Sequence, residues 1–528
     1  MKILVTETLS DKGIEILENE DGITVDIETK LSQEELVNRI SDYDALIVRS
    51  ATKVTSEVIE ATSKMKVIGR AGVGVDNVDV SSATRKGIIV ANTPNANTIS
   101  AAEHTMTLLL AMSRNIAPAS ASLKNHKWER QKFLGVEVYN KILGIIGLGR
   151  IGTEVAKRAQ AFGMHIIASD PYISPDTATK LNVRLVSNDE LFQEADYITV
   201  HLPLTEETSY LIDERAFSLM KDGVRIINCA RGGIFDEKAL YNAIISGKVA
   251  GAALDVFEQE PPLNSPLLEL DAVLPTPHLG ASTREALVNV SIEIAHQVVD
   301  ALKGRPVINA VNMITLDLGD AEKIRPFLQL AEKLGNVQGQ LVEGHVTEIN
   351  MDYKGELINY PTEIISIALQ KGLLQLFLGD SVNYVNAPLI SHERGIKISE
   401  TKSSEIEDFV NLITVTVKTD IGERRIAGTI FGTKEPRIVE IDEYHLDVMP
   451  SGYLLILQTN KDRPGVMGLL GNMLGEYKIN IAGMSMGREV PFSKAIAVLT
   501  LDNPVPKDVI ERIKSIEGIW EAKLVRLD

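Results

Sequence analysis

Short apolar runs recur through the first 280 residues, and each is followed by polar or helix-like sequence. In the first 100 residues these runs read KILVT, ALIVRS, KVIGRAG and IIVANT. A second series begins at Ile142 and reads ILGIIG, HIIASD, YITVHLP, RIINCA, GAALDVF and VLPTPHL. Apolar strands that alternate with helical stretches are typical of parallel sheets joined by crossover helices. The pattern therefore predicts an α/β fold with two units, the second a doubly wound parallel sheet.

Two longer helical patterns accompany the second series. Residues 100–114 begin with Ser100 and, three positions on, Glu103, which is the spacing of a capping box. Residues 282–304 form an amphipathic pattern that ends at Gly304, with Pro306 shortly after. We therefore expect one helix that starts near Ser100 and one long helix that stops at Gly304.

A different pattern begins after residue 315 and predicts an α+β unit that extends to about residue 447. Its helix-like and strand-like stretches fall at 321–341, 346–355, 362–378, 408–419 and 423–432. From residue 452 onward, the predicted elements follow in the order strand, helix, strand, strand, helix, strand. This order is the ferredoxin-like split βαβ arrangement, so a separate C-terminal domain is expected.

The composition limits the classes of function. With 528 residues, of which 44% are hydrophobic and 24% charged, the chain reads as a globular protein of about three or four domains. A net charge of −18 disfavours non-specific binding to nucleic acid or anionic membranes. The single cysteine, Cys229, excludes an intrachain disulfide framework and favours a reducing, cytoplasmic compartment. No zinc-type spacing, secretory signal or long uncharged apolar run is present, so we expect no metal site and no membrane span.

The turn after the first run of the second series contains three glycines, Gly147, Gly149 and Gly152. In a dinucleotide-binding turn, the first glycine permits a sharp bend, the second lets the backbone approach a pyrophosphate, and the third lets helix and strand pack closely. The next strand-like run ends at Asp170, 18 residues after Gly152. A carboxylate there would accept hydrogen bonds from ribose hydroxyls and repel a 2′-phosphate, which favours NAD over NADP. The alternative is an ordinary strand-to-helix turn with an incidental acid.

Three predicted strand ends of the second unit carry reactive side chains: Arg231 in NCARGGIFDE, Glu260 in ALDVFEQEPP and His278 in PHLGAST. Arginine can bind a carboxylate through two hydrogen bonds, histidine can exchange a proton near neutral pH, and a carboxylate can orient the imidazole. This set suits the oxidation of a 2-hydroxy acid. Taken singly, each residue also has a structural explanation. Cys229 is interpreted as a small residue packed under the cofactor rather than a nucleophile.

These motifs, together with GLGRIG, resemble the D-isomer-specific 2-hydroxy-acid dehydrogenase family. The segments VRSATKVT, GRAGVGVDNVD, RKGIIVANTPNANTISAAEHT and KWERQKF are similar to its long-form members, and the likeness covers essentially the whole chain. The resemblance implies a Rossmann cofactor domain, a flavodoxin-like substrate domain, an α+β intervening domain and a C-terminal ferredoxin-like ACT domain. The implied limits are 1–98 with 290–308 for the substrate domain, 99–289 for the cofactor domain, 315–447 for the intervening domain and 452–528 for the ACT domain.

The resemblance also implies the roles of individual residues. Arg231, Glu260 and His278 are expected to be catalytic, with His278 as the proton donor and acceptor. The expected contacts to NAD are at Val73, Gly147, Gly149, Arg150, Ile151, Gly152, Asp170, Leu202, Cys229, Ala230, Arg231, Asp255, His278, Leu279, Gly280 and Ala281.

A phosphorylated substrate needs cations in addition to Arg231. Arg49 and Arg70 follow strand-like runs and are expected to face the cleft, with a surface ion pair as the alternative for each. The peptide N–H groups of AGVG, around Gly72 and Val73, can bind a carboxylate as a small nest. The further expected substrate contacts are Ser50, Asn97 and, from a neighbouring subunit as the resemblance implies, Trp128 and Arg130.

The C-terminal unit resembles an ACT domain, an amino-acid-sensing module, in the segments NKDRPGVMGLL and YKINIAGMSMG. The resemblance implies serine as the effector, with contacts at Asn460, Asp462 and Asn480, although Asn460 stands where some relatives carry His or Tyr. The alternative is an oligomerisation module without a ligand. In the intervening unit, the candidates for anion binding are His392, Arg394 and Lys397.

The function that the resemblance implies is NAD-dependent oxidation of D-3-phosphoglycerate to 3-phosphohydroxypyruvate by a homotetramer. This reaction is the first step of the phosphorylated route to L-serine. One alternative is another D-2-hydroxy-acid dehydrogenase, acting on glyoxylate, hydroxypyruvate or 2-oxoglutarate. Another is a dinucleotide-gated scaffold or corepressor without turnover. The Arg231, Glu260 and His278 set disfavours the scaffold, and the basic pocket and C-terminal units favour the phosphorylated substrate.

Overall fold

The first part of the chain forms a five-stranded parallel sheet. The computed structural model describes residues 1–315, 318–405, 408–459, 463–488, 490 and 492–527. The elements of the first sheet are β1 (Lys2–Val5), α1 (Asp11–Glu18), β2 (Thr24–Ile27), α2 (Gln33–Arg39), β3 (Ala45–Val48), α3 (Ser56–Glu60), β4 (Val67–Arg70), α4 (Val80–Arg85) and β5 (Ile89–Ala91). The strands are parallel in the order β2-β1-β3-β4-β5, which is the flavodoxin-like order.

A second parallel sheet follows, and two helices, α5 (Thr98–Ser113) and α6 (Ile116–Lys124), precede it. Its elements are β6 (Ile142–Ile146), α7 (Arg150–Ala161), β7 (His165–Ser169), α8 (Pro175–Lys180), β8 (Arg184–Leu185), α9 (Asn188–Glu194), β9 (Tyr197–Val200), α10 (Glu214–Leu219), β10 (Val224–Asn228), α11 (Glu237–Ile245), β11 (Val249–Leu254) and β12 (Val273–Pro275). The order β8-β7-β6-β9-β10-β11-β12 is that of a Rossmann sheet with one added strand. Both predicted α/β units are confirmed.

The chain leaves the first unit and later returns to it. Helix α5 packs on the second sheet, where Met106 and Leu109 share a core with Val155 of α7. The long helix α12 (Arg284–Leu302) packs Ile294 and Val298 on the first sheet instead. The predicted domain limit between residues 289 and 290 falls inside α12, which is continuous. The domain limits themselves stay a prediction.

The predicted capping box at Ser100 is wrong, because α5 begins two residues earlier, at Thr98, with Asn97 as its N-cap. Ser100 is buried in the first turn, and its Oγ lies 2.8 Å from Oγ1 of Thr283. Thr283 is in turn the N-cap of α12. The two hydroxyl groups therefore join the starts of the two helices that connect the α/β units. The end of α12 at Leu302 is close to the predicted stop.

The next unit contains a six-stranded mixed sheet. Its elements are α13 (Leu318–Leu341), β13 (Val346–Gly355), α14 (Thr362–Leu378), α15 (Ala387–Glu393), β14 (Lys397–Ser403), β15 (Asn411–Thr419), β16 (Glu423–Phe431), β17 (Glu435–Ile441) and β18 (Tyr444–Val448). The order is β14-β13-β15-β16-β17-β18, parallel only between β13 and β14. Helices α13 and α14 pack against each other and share the core of the sheet. The predicted α+β unit is confirmed.

The C-terminal unit has the predicted ferredoxin-like order. Its elements are β19 (Gly452–Thr459), α16 (Val466–Glu476), β20 (Ile481–Arg488), β21 (Ala495–Leu501), α17 (Lys507–Lys514) and β22 (Ile519–Leu527). The sheet is antiparallel in the order β20-β21-β19-β22, and α16 and α17 cover one face. On the other face, Leu454, Ile456 and Val498 extend into the core of the preceding unit. Within the described residues, no helix has both the length and the apolar character that crossing a bilayer requires.

Candidate active site

Apart from Val73, which follows β4 of the first sheet, the predicted cofactor and catalytic residues lie at or after the carboxyl ends of strands in the second sheet. The glycine turn follows β6, Leu202 follows β9, Arg231 follows β10, Asp255 follows β11 and His278 follows β12. Because these strands are parallel, their carboxyl ends meet at one edge of the sheet, where open α/β sheets bind ligands. Further predicted cofactor contacts lie at the same edge, namely Arg150, Ile151, Cys229, Ala230, Leu279, Gly280 and Ala281.

The glycine turn has the backbone geometry that a dinucleotide requires. Gly147 has φ 91°, and a Cβ there would press against the carbonyl of His201. Gly152 lies in the first turn of α7, where a Cβ would clash with the carbonyl oxygen of Gly147. Gly149 is the N-cap of α7 and has open space beside its Cα. A phosphate group can therefore approach the free N–H groups at the start of α7, so these residues fit a dinucleotide.

Asp170 follows β7 and forms a hydrogen bond with the backbone of the glycine turn. Its two carboxylate oxygens accept hydrogen bonds from the backbone N–H of Leu148 at 2.8 Å and of Tyr172 at 2.8 Å. The acid is thus a structural partner of the loop that would face a pyrophosphate. Its predicted role as a ribose acceptor, and with it the preference for NAD over NADP, stays a prediction.

The buried carboxylate of Asp255 organises the turn that carries His278. Its Oδ1 accepts hydrogen bonds from the Leu279 N–H at 2.7 Å and from Thr276 Oγ1 at 2.6 Å, and its Oδ2 accepts one from the Gly280 N–H at 2.8 Å. His104 Nε2 on α5 lies 3.1 Å from Oδ1. Burial by itself would raise the pKa of Asp255, but the hydrogen bonds from His104, Thr276 and Leu279 outweigh it and lower that pKa.

His278 and Glu260 form the predicted imidazole–carboxylate pair. His278 Nδ1 lies 2.8 Å from Glu260 Oε2, which leaves Nε2 as the ring nitrogen without a partner among the described residues. Partial burial would raise the pKa of Glu260, but the hydrogen bond and positive charge of His278 outweigh it, so the pKa lies below its usual value. The backbone of His278 has φ 53°, a left-handed conformation that residues with side chains seldom adopt. This conformation is typical of positions whose side-chain direction is under functional constraint.

Arg231 is held in one orientation by two hydrogen bonds. Its Nε donates to Asp76 Oδ2 at 2.8 Å, and its Nη1 donates to the carbonyl of Ala230 at 2.7 Å. Asn228 Nδ2 donates to the backbone carbonyl of Arg231 at 2.9 Å and so stabilises the loop after β10. Because Asp76 belongs to the loop after β4, this ion pair bridges the two α/β units.

The substrate side of the cleft contains two more guanidinium groups. Burial, then the positive charge of Arg231, and less strongly that of Arg49, lower the pKa of Arg70 to about 10, against the opposing effect of Asp76 and Glu7. The buried Nε atoms of Arg49 and Arg70 have no hydrogen-bond partner among the described residues. No ion pair of either side chain is found within the described ranges, which disfavours the surface-pair alternative. Half-buried cations without ion-pair partners suit an anionic ligand.

The loop after β4 and the start of α5 supply neutral donors and acceptors. Gly72 has φ 149°, and the carbonyl of Val73 accepts a hydrogen bond from Asn92. The N–H groups of Val73, Gly74 and Val75 donate to no acceptor in the part of the chain that the structure describes, as a nest for an anion requires. The remaining predicted contacts on this side are Asn97, whose buried Oδ1 has no partner among the described residues, and the exposed Ser50.

Cys229 has the environment of a packed, unreactive thiol. It lies next to Asp255 and Thr105, and burial, followed by the charge of Asp255, raises its pKa to about 12 against the hydrogen bond of Thr105. A thiol with that pKa is neutral at physiological pH, so nucleophilic catalysis is disfavoured. Across the described ranges, no group of three or more His, Cys, Asp or Glu side chains is arranged to bind a metal ion.

Several predicted residues do not join this cleft within one chain. Trp128 is 76% exposed and Arg130 is exposed, both on the segment after α6. In the C-terminal unit, Asn480 Nδ2 donates to Asp502 Oδ2 at 2.7 Å, whereas Asn460 and Asp462 lie outside the described residues. In the intervening unit, the exposed candidates at the end of α15 and the start of β14 are His392, Arg394 and Lys397.

Sequence reasoning missed four residues that organise the site: Glu7, Gly74, Asp76 and His104. Glu7 accepts hydrogen bonds from the backbone N–H groups of Arg49, Ala51 and Thr52 and so shapes the loop after β3. The position of Asp76 beside the glycines of GRAGVGVDNVD was a local signal for a site residue. For Glu7 and His104 no local signal exists, because their partners come from distant segments.

The fold and the site together define an NAD-binding 2-hydroxyacid dehydrogenase. The NAD-binding domain of the D-isomer specific 2-hydroxyacid dehydrogenases matches residues 106–280. The intervening domain of D-3-phosphoglycerate dehydrogenase matches residues 323–442. The two matches cover the Rossmann sheet and the mixed sheet respectively.

Full-length relatives show to which family within this class of dehydrogenases the chain is similar. The D-3-phosphoglycerate dehydrogenase of Methanocaldococcus jannaschii is 48% identical over 528 residues, 100% of either chain. That of Bacillus subtilis is 40% identical and covers 100% of this chain and 99% of its own. In a solved structure, D-lactate dehydrogenase from Aquifex aeolicus complexed with NAD and lactic acid is 30% identical, with a TM-score of 0.53, over 58% of this chain and 96% of its own. This chain belongs to the D-3-phosphoglycerate dehydrogenase family.

The glycine turn generates a prediction that separates cofactor approach from folding. Gly149→Ala should lower the affinity for NAD about tenfold or more, because the added methyl group faces open space where a pyrophosphate would approach. It should lower the melting temperature only slightly, since alanine is a weaker N-cap than glycine. Gly152→Ala should lower both, since its Cβ would overpack the strand–helix contact at about 1–3 kcal/mol. Titration calorimetry with NAD and thermal unfolding would check this. Equal NAD affinity in wild type and Gly149→Ala would contradict it.

Proposed function

We propose that this chain oxidises D-3-phosphoglycerate to 3-phosphohydroxypyruvate with NAD, the first step of the phosphorylated route to L-serine. The observation that carries the proposal is the meeting of two sets of groups in one cleft. The His278–Glu260 pair lies at the dinucleotide end, and three guanidinium groups, from Arg49, Arg70 and Arg231, lie within electrostatic reach of one another. A simple 2-hydroxy acid has one anionic end, so three cations suit a substrate with two. The full-length relatives named above support the same substrate.

His278 is the residue that transfers the proton. In oxidation, its free Nε2 accepts the proton of the C2 hydroxyl, and in reduction the same atom returns it. Glu260 stays ionised because its pKa is lowered, so its charge stabilises the imidazolium and its hydrogen bond to Nδ1 fixes the ring. When bound, NAD accepts the hydride that leaves C2 as the C2–H bond breaks. The residues that would hold NAD are those of the glycine turn, Asp170 and the turn bound by Asp255.

Substrate binding divides between the two ends of the acid. The guanidinium of Arg231 and the N–H groups of Val73 and Gly74 bind the carboxylate beside C2. Arg49 and Arg70 bind the phosphoryl group, with Ser50 beside them and Asn97 as a further hydrogen-bonding partner. Half-buried guanidinium groups whose Nε atoms have no partner among the described residues are suited to this, because a phosphate provides acceptors for them.

Assembly and regulation are part of the proposal. The exposed apolar side chains Ile116, Leu123, Trp128 and Leu134 on α6 and the following segment support a homo-oligomeric interface, which we infer belongs to a homotetramer. Trp128 and Arg130 would then reach the site of a neighbouring subunit. Serine is the proposed effector at the C-terminal unit, around Asn460, Asp462 and Asn480. One free cysteine and an acidic chain support a cytoplasmic location.

The test of the proposal is a panel of acids with NAD and NADP. Wild type should form NADH from D-3-phosphoglycerate, with a carbonyl trap for the product, and should prefer it over glycolate, glycerate and 2-hydroxyglutarate. Preference for an unphosphorylated acid would support another 2-hydroxy-acid dehydrogenase. Absence of turnover with every acid would support the scaffold alternative and overturn the proposal.

The His278–Glu260 pair predicts a pH effect. Glu260→Gln keeps a hydrogen-bonding side chain but removes the counter-charge of the imidazolium. We expect kcat for reduction to fall about 100-fold, and the reduction rate to begin its alkaline decline at lower pH than in wild type. The pH profile of kcat for 3-phosphohydroxypyruvate reduction measures both. An unshifted profile would show that Glu260 does not support the proton transfer.

The cation set predicts a substrate-selective effect. Arg49→Ala should raise KM for the phosphorylated substrate about tenfold or more, since a hydrogen-bonded charge pair is lost, and should change KM for glyoxylate little. Arg39→Ala is the matched control, because Arg39 pairs with Glu28 on the exposed surface of the same α/β unit. Equal effects of Arg49→Ala on both substrates would argue against phosphoryl recognition.

A further inference from the structure

An ion pair crosses the cleft between the two α/β units. Asp76 follows β4 in the first unit and Arg231 follows β10 in the second, and Arg231 Nε donates to Asp76 Oδ2 at 2.8 Å. The side chain of Arg231 is 25% exposed and that of Asp76 is 61% exposed. The pair is therefore open to solvent on the carboxylate side and partly enclosed on the guanidinium side.

The pair leaves one end of the guanidinium free and aims it at the loop after β4. Nε is held by Asp76, and Nη1 is held by the carbonyl of Ala230. Nη2 has no acceptor among the described residues and lies so close to Gly74 that a Cβ there would clash with it. Glycine at position 74 thus permits the close approach of Nη2 to the backbone.

The hydrogen-bond donors without acceptors lie on, or beside, the loop after β4. The N–H groups of Val73, Gly74 and Val75 donate to no described acceptor, and Nη2 of Arg231 lies against the same loop. A carboxylate has two oxygens and accepts from a guanidinium edge and from peptide N–H groups at once. The orientation that Asp76 gives to Arg231 is the one that makes this shared site.

Electrostatics identifies Asp76 as the carboxylate available to Arg231. Two acids, Asp76 and Glu7, act on the charge of Arg70. The carboxylate oxygens of Glu7 accept hydrogen bonds from the backbone N–H groups of Arg49, Ala51 and Thr52. Without Asp76, repulsion from Arg70 would act on an Arg231 side chain held only by its hydrogen bond to the carbonyl of Ala230. Asp76 therefore opposes the movement of Arg231 away from the loop.

We propose that Asp76 is a positioning residue that orients Arg231 across the domain boundary, so that its free edge and the loop N–H groups together bind the carboxylate of a 2-oxo or 2-hydroxy acid. The inference rests on the proposed function only in taking Arg231 as the carboxylate-binding arginine. It does not depend on which acid of this class is the natural substrate. Asp76 binds no substrate atom itself.

The experiment measures binding without turnover. Pyruvate and 3-phosphohydroxypyruvate are titrated calorimetrically into enzyme saturated with NAD⁺, since a 2-oxo acid without a hydrogen on C2 cannot reduce NAD⁺. For Asp76→Ala we expect Kd to rise about fivefold for both acids, the size of effect of one partly exposed charged pair. Asp76→Asn keeps an acceptor for Nε and should recover part of the affinity. Affinity for NAD and the melting temperature should stay at wild-type values.

The matched control is Asp222→Ala. Asp222 precedes β10, at the opposite end of the strand from Arg231, and forms an exposed ion pair with Lys248 at 3.0 Å. This variant removes a comparable surface pair and should leave both Kd values unchanged. In steady-state reduction, Asp76→Ala should raise KM with a smaller effect on kcat, whereas general loss of structure would change the melting temperature as well.

Four results would overturn the proposal. Unchanged Kd values in Asp76→Ala would show that Arg231 needs no partner, and tighter binding would show that Asp76 competes with the acid. Weaker binding of 3-phosphohydroxypyruvate alone would place Asp76 at the phosphoryl end. If wild type turns over no phosphoglycerate but binds pyruvate, the substrate proposal fails while the Asp76 comparison is still decided. If wild type binds neither acid, the role of Arg231 and with it this proposal are refuted.

Discussion

The buried carboxylate of Asp255 is the interaction on which the candidate active site depends. It accepts hydrogen bonds from the N–H groups of Leu279 and Gly280 and from the hydroxyl of Thr276. These bonds hold the turn in which His278 adopts a left-handed backbone, a conformation that costs about 1–3 kcal/mol and persists only where its surroundings impose it. A buried ionised carboxylate in turn needs several donors. The turn and the carboxylate therefore stabilise each other, and the direction of the His278 imidazole follows from both.

The cleft draws its chemistry from two sheets, so its geometry depends on how the chain connects them. Helix α5 goes to the second sheet and helix α12 returns to the first, with Ser100 and Thr283 bonded where the two helices begin. The His278–Glu260 pair belongs to the second unit, and Arg49 and Arg70, which have no ion-pair partner among the described residues, belong to the first. The distances between these groups therefore depend on how the two units are arranged.

The two C-terminal units are held together by a shared hydrophobic core and by an ion pair between them. Their sheets share a hydrophobic core, and Arg424 on β16 pairs with Asp442 and, across the units, with Glu521 on β22. Contact with the first α/β unit is of another kind, for example the hydrogen bond from Asn383 to the carbonyl of Gly87 at 2.7 Å. Apolar cores resist separation more than small polar contacts do. Movement of the C-terminal pair relative to the catalytic units is therefore less costly than movement within the pair.

Apolar periodicity and glycine spacing are local properties of a chain, so the two α/β units, the ferredoxin-like C-terminal order and the glycine turn could be predicted from the amino-acid sequence, whereas the roles of Arg231, Glu260 and His278 stay predictions. The half-exposed edge strand β2 was not predicted, and the start of α5 was placed two residues late, because Ser100 and Glu103 have the spacing of a capping box inside the helix. The pairing of Asp76 with Arg231, 155 residues away, and of His104 with Asp255 depends on the folded chain. Such pairs form when separate elements pack together, and no local pattern records them.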